Sequence, residues 1–157
     1  ILFFKFRLAY ANRKADIMSK VAVVYWSGTG NTEAMANSVV SGAKNGGAEV
    51  SMFTAAEFSA SEMDNYDAVA FGCPAMGAEV LEDSEFEPMF NDCKSKLNGK
   101  KIGLFGSYGW GDGEWMRNWK DDCESAGAVF AHDYVICNEA PDDDASKQCE
   151  ELGAALA

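Results

Sequence analysis

The chain has 157 residues, of which 48% are hydrophobic, and its formal net charge at pH 7 is −12. This length suits a single domain with a sizeable core. Such acidity argues against nucleic acids and anionic membranes as partners and favours basic protein partners, although solubility alone would also explain it.

The charge is unevenly distributed along the chain. Residues 1–17 carry a net +3, whereas residues 18–157 contain 9 basic and 24 acidic side chains, a net −15. The apolar start of the chain is interrupted at once by basic residues, so it is too short to span a bilayer and has the wrong charge order for a signal peptide. We expect Met18 to be the natural start and residues 1–17 to be a non-native or disordered extension; a genuine basic arm is the alternative.

The cysteines indicate a reducing compartment. Their number is odd and no two are spaced as C-x-x-C, so they match neither a disulfide framework nor a zinc or iron–sulfur ligand set. Reduced thiols in a cytoplasmic protein are the default interpretation, and we expect no metal site. The five are Cys73, Cys93, Cys123, Cys137 and Cys149.

The first informative stretch is a strand, a glycine-rich loop and a helix. Residues 21–25 form an apolar run typical of a buried parallel strand, and residues 33–40 have the pattern of an amphipathic helix. The loop between them has no Lys or Arg, so it differs from the G-x-x-x-x-G-K-[ST] triphosphate loop, and it also lacks the third glycine of G-x-G-x-x-G. It predicts a neutral cup for one phosphate monoester at a helix start, and an ordinary capped turn is the alternative. Its residues are Ser27, Gly28, Thr29, Gly30, Asn31 and Thr32.

The remaining pattern predicts an α/β fold. Strands alternating with helices indicate a sandwich with a mostly parallel sheet, in which ligands bind beyond the carboxyl ends of the strands. The loops after the first, third and fourth strands therefore belong together. The later elements are strands at 48–53, 66–72, 101–106 and 128–137, helices at 86–97, 114–126 and 144–157, and a loop with a turn of helix at 54–65.

The loop after the third strand carries an unusual pair, Met76 and Gly77, within Cys73-Pro74-Ala75-Met76-Gly77-Ala78-Glu79. A thioether packs well on an aromatic face, and glycine permits backbone conformations that other residues resist. The pair could therefore reorient beside a flat ligand. Taken alone, it could also be a plain turn in which methionine fills a gap.

The loop after the fourth strand displays an indole, Trp110, within Ser107-Tyr108-Gly109-Trp110-Gly111-Asp112-Gly113. Flanking glycines cannot bury this ring, so we expect a stacking platform, with the amides of Gly109 and Gly111 free to donate to a ligand edge. Trp115 and Trp119 on the next helix are expected to pack against the sheet. Together the loops predict a ligand with a phosphate at one end and a flat heteroaromatic ring between Met76 and Trp110.

Protein side chains do not supply an evident reaction centre. The sequence shows no Ser-His-Asp or Cys-His arrangement, and its one histidine, His132, lies in the fifth-strand pattern and is expected to be structural or on the surface, not catalytic. The third strand also lacks the terminal Asp of a phospho-acceptor domain. The bound ring would therefore have to carry the chemistry.

These three loops resemble those of the flavodoxins, most closely the short-chain flavodoxins of anaerobic clostridia and their relatives. The resemblance covers residues 18–157, with three motifs in the right order, and implies a flavodoxin-like FMN-binding domain. The fold implied is a three-layer α/β sandwich with a five-stranded parallel sheet of order 2-1-3-4-5, an order adopted from the family.

The resemblance implies a low-potential one-electron carrier and not an enzyme. Non-covalent FMN would cycle between semiquinone and hydroquinone and shuttle electrons between redox enzymes with basic docking surfaces, from a cytoplasmic monomer. An acidic protein with no cation in the pocket disfavours the anion formed by the second electron. The alternatives are an FMN-dependent quinone or flavin reductase, which needs a nicotinamide pocket, and a binding module that has lost its flavin.

The resemblance also implies residue roles. The cup would hold the phosphate, Met76 and Trp110 would cover the two flavin faces, and the Gly77 peptide would flip on reduction so that its carbonyl accepts from the flavin N5 proton. Ala78 departs from the acidic or polar residue often found there. Glu79 would accept from ring N3. Ser107 would add a hydroxyl at the phosphate, and Asn138 would lie near the ribityl chain. The whole set of cofactor-binding residues that the resemblance implies is Ser27, Gly28, Thr29, Gly30, Asn31, Thr32, Pro74, Ala75, Met76, Gly77, Glu79, Ser107, Tyr108, Gly109, Trp110, Gly111 and Asn138.

Overall fold

The structure, a computed structural model, describes residues 18–157, and our expectation for residues 1–17 lies outside them. The strands are β1 (Lys20–Tyr25), β2 (Glu49–Thr54), β3 (Ala68–Gly72), β4 (Lys101–Tyr108), β5 (Val129–Phe130) and β6 (Val135–Asn138). The helices are α1 (Asn31–Asn45), α2 (Phe86–Cys93), α3 (Glu114–Ser125) and α4 (Asp143–Leu156). Short 3₁₀ turns occur at Ala55–Glu57, Ala60–Asn65 and Lys94–Lys96.

All strands of the sheet run parallel, in the order β2-β1-β3-β4-β5, with β6 also paired to β4. This order confirms the expected flavodoxin-like sheet. The chain reverses its direction of winding between β1 and β3, so the loops that follow these two strands open side by side. The carboxyl end of β4 lies next to them, which brings the three predicted loops to one edge of the sheet.

The fifth strand was expected to be continuous over 128–137, and this expectation was wrong. Ile102 pairs with Phe130 and Phe105 with Val135, so the edge chain advances five residues while β4 advances three. The extra residues form a bend that contains His132, whose Nδ1 lies 2.8 Å from the Asp133 carbonyl oxygen. An edge strand has one neighbour only, so it accommodates such a bulge at little cost to the ladder.

The sheet separates two apolar cores, as a parallel sheet covered on both faces requires. On one face, β1 and α1 pack with α4, and the helices approach closely at two glycines. A Cβ on Gly42 would lie 1.9 Å from the Glu150 carbonyl oxygen, and one on Gly153 would lie 2.0 Å from that of Val39. This close packing fixes α1, and therefore the loop before it, against the rest of the molecule.

The other face is covered by α2 and α3. Trp115 and Trp119 are buried there, as predicted, and Trp119 makes edge-to-face contacts with Phe86 and Phe90 at 5.4 and 5.6 Å between ring centroids. Within residues 18–157, no helix combines the length and apolar character needed to cross a bilayer.

Candidate cofactor-binding site

A cavity of about 230 Å³ opens at the carboxyl ends of β1, β3 and β4. Each of the three predicted loops contributes three residues to its wall: Gly28, Thr29 and Asn31 from the first, Pro74, Ala75 and Met76 from the second, and Ser107, Tyr108 and Gly109 from the third. The sequence therefore located the cavity correctly, since the carboxyl ends of parallel strands meet at one edge.

The first loop is held by its own serine. Ser27 Oγ accepts hydrogen bonds from the amides of Gly30 at 3.1 Å and Glu33 at 3.2 Å, and Gly30 adopts a left-handed φ of 94° at the start of α1. Within the described residues, the amides of Asn31 and Thr32 donate to no protein group, as expected in the first turn of a helix. The loop thus presents free amides and the Ser27 hydroxyl proton at a helix start, which suits an anion.

A second layer of hydrogen bonds ties this loop to β4. Thr32 is 1% exposed, and its Oγ1 accepts from the Ser107 amide at 3.4 Å. Ser107 Oγ in turn donates to the Glu139 carbonyl oxygen at 2.5 Å. The Ser107 hydroxyl proton is therefore engaged within the protein, and this residue positions the wall of the cavity in the arrangement seen here.

The second loop is a small hairpin whose turn contains Gly77. The amide of Met76 donates to the Val80 carbonyl at 2.8 Å, and the Val80 amide donates back at 2.9 Å. Gly77 has a φ of 52°, and a Cβ placed on it would meet nothing within 4 Å. The outer side of the turn is therefore open at the position that a side chain would take.

Two bonds anchor the start of this hairpin to the core. The Ala75 amide donates to the Ser107 carbonyl, and the Trp115 indole donates to the Cys73 carbonyl, both at 3.1 Å. The Cys73 thiol is fully buried, and burial raises its pKa well above the ordinary value for a thiol. The hairpin therefore has a base fixed to the core and an exposed tip.

A buried carboxylate, Glu82, anchors the other end of the hairpin. It is 4% exposed and accepts from the amides of Ser84, Glu85 and Phe86 at 2.8–2.9 Å and from the Ser84 hydroxyl. Burial acts to raise the pKa of Glu82, but the four hydrogen bonds outweigh it and lower the pKa below the usual range. Glu82 thus stays ionised and fixes the turn that leads into α2.

The third loop projects the predicted indole. Trp110 is 65% exposed, as its glycine neighbours indicated. The loop contacts the hairpin through Glu79, whose Oε1 accepts from the Asp112 amide at 3.2 Å. A Cβ on Gly111 would lie 2.1 Å from the same oxygen, so only glycine allows this approach.

Several predicted residues border the cavity without lining it. Ser27, Gly30 and Thr32 lie in the loop behind its wall, and Gly77, Glu79, Trp110 and Gly111 lie on the two outer loops. Asn138 faces a neighbouring hollow, and its side chain donates to the Tyr108 carbonyl at 3.3 Å.

Two lining residues were missed by the sequence analysis, Trp26 and Glu139. Trp26 covers Gly28, since a Cβ there would lie 2.9 Å from the indole ring. Glu139 has a left-handed φ of 57°, and its amide donates to the Tyr108 carbonyl at 2.9 Å. The available signal was position, because each residue directly follows the last residue of a parallel strand, β1 or β6.

The cavity wall is uncharged except for one carboxylate. Among the described residues, no Lys or Arg lines it, and Glu139 contributes a negative charge. No group of three or more His, Cys, Asp or Glu side chains in residues 18–157 is arranged to hold a metal ion. The wall thus offers hydrogen-bond donors to a bound group and electrostatic repulsion to any additional negative charge.

Comparison with known proteins identifies the family. The family model described as Flavodoxin matches residues 23–153. The flavodoxin of Megasphaera elsdenii is 50% identical over 137 residues, covering 87% of this chain and 98% of that protein. The flavodoxin of Clostridium beijerinckii is 44% identical over 135 residues, covering 86% and 97%. This chain belongs to the flavodoxin family.

The solved structures agree. The solution structure of two-electron reduced Megasphaera elsdenii flavodoxin superimposes with a TM-score of 0.80 and covers 87% of this chain and 97% of that one. The relatives also confirm the resemblance to short-chain flavodoxins. Flavodoxins are electron-transfer flavoproteins, not enzymes, and their cofactor is FMN.

Proposed function

We propose that this flavodoxin is a low-potential one-electron carrier, whose non-covalent FMN cycles between semiquinone and hydroquinone while shuttling electrons between redox enzymes. The cofactor supplies the redox chemistry, and the protein supplies binding, orientation and electrostatics. The observation that supports this most strongly is a donor-rich cavity with no cation in its described wall and a carboxylate, Glu139, within it.

The first loop would hold the FMN phosphate. The free amides of Asn31 and Thr32 point from a helix start, and the Ser27 hydroxyl keeps its proton for donation because it accepts from two amides. Thr29 and Asn31 line the cavity and add side-chain donors. These uncharged donors fit a phosphate group, since amides at a helix start bind anions without a metal or a lysine.

The outer loops would hold the ring between Met76 and Trp110. Both side chains are exposed, so each is accessible for stacking on a flat ring. Glu79 has one oxygen bonded to the Asp112 amide and keeps the other for a ring N–H. The amides of Gly109 and Gly111 would donate to the ring carbonyl, and Gly28, Gly30, Pro74, Ala75, Ser107, Tyr108 and Asn138 would shape the wall and its rim.

The Gly77 peptide would act as the redox-dependent contact. Its carbonyl would turn towards the ring and accept a hydrogen bond from the N–H group formed there on reduction. The left-handed φ of Gly77 supports this role, because glycine can exchange between backbone conformations at low cost.

The low potential would follow from charge. The described residues carry a net −15, and Glu139 adds its charge at the cavity itself. Placing a further negative charge in such a site is unfavourable, and no lysine or arginine in the described wall offsets it.

The protein would act as a monomer in the cytoplasm. Its partners would be redox enzymes with basic docking surfaces, and it would bind neither nucleic acid nor membrane. The acidic surface favours such encounters through electrostatic complementarity. Burial raises the pKa of Cys93 to about 11 and those of Cys123 and Cys149 to about 12. These thiols therefore stay protonated at neutral pH, which suits a protein of a reducing compartment.

The test is stepwise anaerobic reduction of the FMN-reconstituted protein, followed by its visible spectrum. We expect two separate one-electron steps and no turnover of NADH or NADPH by the protein alone. A single two-electron step, or appreciable nicotinamide turnover, would contradict the proposal.

A further inference from the structure

The loop that carries Trp110 is tied to α3 by an arginine that no proposed contact with the cofactor uses. Arg117 Nη2 lies 2.9 Å from Asp112 Oδ1, and Nη1 donates to the Asp112 carbonyl oxygen at 3.0 Å. One guanidinium therefore holds both the side chain and the main chain of Asp112. The planar fork of arginine suits such a two-point contact, which the ammonium of lysine cannot reproduce.

The contact continues into the site. The Asp112 amide donates to Glu79 Oε1 at 3.2 Å, so α3, the Trp110 loop and the Met76 hairpin are linked in sequence through Arg117, Asp112 and Glu79. Hydrogen bonding to Arg117 and its charge lower the pKa of the Asp112 carboxyl, and the same hydrogen bond raises the pKa of Arg117. Both groups are thus ionised at neutral pH.

The loop has little else to order it. Among the described residues, no backbone–backbone hydrogen bond outside helices and strands involves residues 109–112. The loop is tied to the elements beside it through Asp112, by the Arg117 pair and the bond to Glu79. These two links join the segment that carries Trp110 to α3 and to the Met76 hairpin.

We propose that Arg117 is a positioning residue that clamps the Trp110 loop against the Met76 hairpin and so holds both sides of the flavin slot in place. The proposal rests on the proposed function, in which Trp110 covers one face of the ring. Its energetic contribution is modest and sensitive to salt, because the Arg117 and Asp112 side chains are 50% and 79% exposed.

The chain provides a matched control on the same helix. Lys120 lies three residues after Arg117 and pairs with Glu124 at 3.8 Å, away from the loop. Lys120→Met removes the same charge as Arg117→Met but leaves the clamp intact. A change that is due to net charge alone would appear equally in both variants.

Two measurements test the clamp. In the cofactor-free protein, the NMR relaxation of the Trp110 indole N–H, assigned with Trp110→Phe, should show greater mobility in Arg117→Met than in wild type or Lys120→Met. In FMN titrations at low salt, Arg117→Met should raise the dissociation constant by about fivefold, the upper range for an exposed ion pair. The dissociation constant of Arg117→Lys should lie between those of wild type and Arg117→Met. The difference between wild type and Arg117→Met should shrink at about 1 M salt, because salt screens the ion pair.

The indole signal decides the outcome. If Trp110 is as mobile in wild type and Lys120→Met as in Arg117→Met, the clamp does not exist and the proposal is overturned, whatever the dissociation constants. Wild-type protein that takes up no FMN would refute the proposed function instead, and the indole signal of the cofactor-free chain would still decide the clamp.

Discussion

The two ends of the proposed cofactor site are built differently. The proposed phosphate end lies between β1 and α1, where Ser27 accepts from two amides and Thr32 is buried against β4. The proposed ring end consists of two loops with exposed side chains, Met76 and Trp110, and left-handed residues at their turns. One end is fixed by regular structure, and the other by a few contacts between loops.

The difference indicates a division of labour. A rigid cup gives affinity because its donors are already oriented when the phosphate arrives. A ring end held by few contacts could change them with redox state, and only contacts that differ between states shift a potential. The two properties should therefore respond to different substitutions, and the following variants test that separation.

The largest effect is expected at the phosphate end. Ser27→Ala removes the acceptor of two amides and one proton donor, which is worth about 2–3 kcal/mol or roughly a hundredfold in FMN affinity. Riboflavin, which lacks the phosphate, should bind the variant as it binds wild type. Flavin fluorescence titrations with both ligands check this, with Ser27→Thr as the control that retains a hydroxyl. An equal loss for riboflavin would show that the two ends are not separable.

The next effect concerns the base of the ring end. Glu82→Gln replaces a buried carboxylate that accepts four hydrogen bonds by an amide with one acceptor oxygen, so we expect the free energy of unfolding to fall by about 2 kcal/mol. Urea denaturation measures it, and the exposed neighbour Glu85→Gln is the matched control. Equal stability of the two variants would mean that Glu82 does not anchor the hairpin.

The same carboxylate predicts a pH dependence. Because the folded pKa of Glu82 is lowered, its contribution is complete above the unfolded value of about 4.3 and is lost as the pH falls through the folded pKa. The fall in unfolding free energy below about pH 4.5 should therefore be shallower in Glu82→Gln than in wild type. Parallel curves in urea titrations at several pH values would argue against the link.

Removing the stacking platform should have a smaller effect on both ligands. Trp110→Ala should weaken FMN and riboflavin alike, by about tenfold, since an aromatic stacking contact contributes roughly 1–1.5 kcal/mol. The free energy of unfolding should not change, because the indole is exposed. The same fluorescence titrations provide the comparison. If Trp110→Ala lowered the affinity for FMN but not for riboflavin, Trp110 would act at the phosphate and not at the ring.

The smallest effect should appear only in the redox properties. Gly77→Val penalises a left-handed turn, although the added Cβ itself would meet nothing within 4 Å. It should lower the semiquinone formation constant by about tenfold and so narrow the gap between the two one-electron potentials by about 60 mV. Gly77→Asn, which tolerates this φ better, should change it less. Potentiometric titration of both variants measures the gap between the two one-electron steps. An unchanged gap in Gly77→Val would locate the redox-dependent contact elsewhere.

The sequence predicted what depends on local pattern. The strand, loop and helix around Ser27 and the exposure of Trp110 follow from residue types within a few positions, and both were confirmed. The meeting of three loops follows from the geometry of a parallel sheet. The split of the fifth strand was not predicted, because the position of the break depends on how this edge pairs with β4, although Asp133 within it is a residue type that strands disfavour.

The contacts between loops were also beyond the sequence. Nothing in the chain order brings Glu79 to Asp112 or Glu139 to Ser107, since each pair lies more than 30 residues apart and meets through the fold alone. These contacts determine which predicted residues face the cavity. In this structure Glu139 lines the cavity, whereas Asn138 lines the neighbouring hollow.

The potential of the second electron tests the central claim most directly, namely that an uncharged, donor-rich cup in an acidic shell holds FMN and resists its becoming an anion. Anaerobic potentiometry of the reconstituted protein should place this potential well below that of free FMN, and Glu139→Gln should raise it. A potential equal to or above that of free FMN would contradict the account.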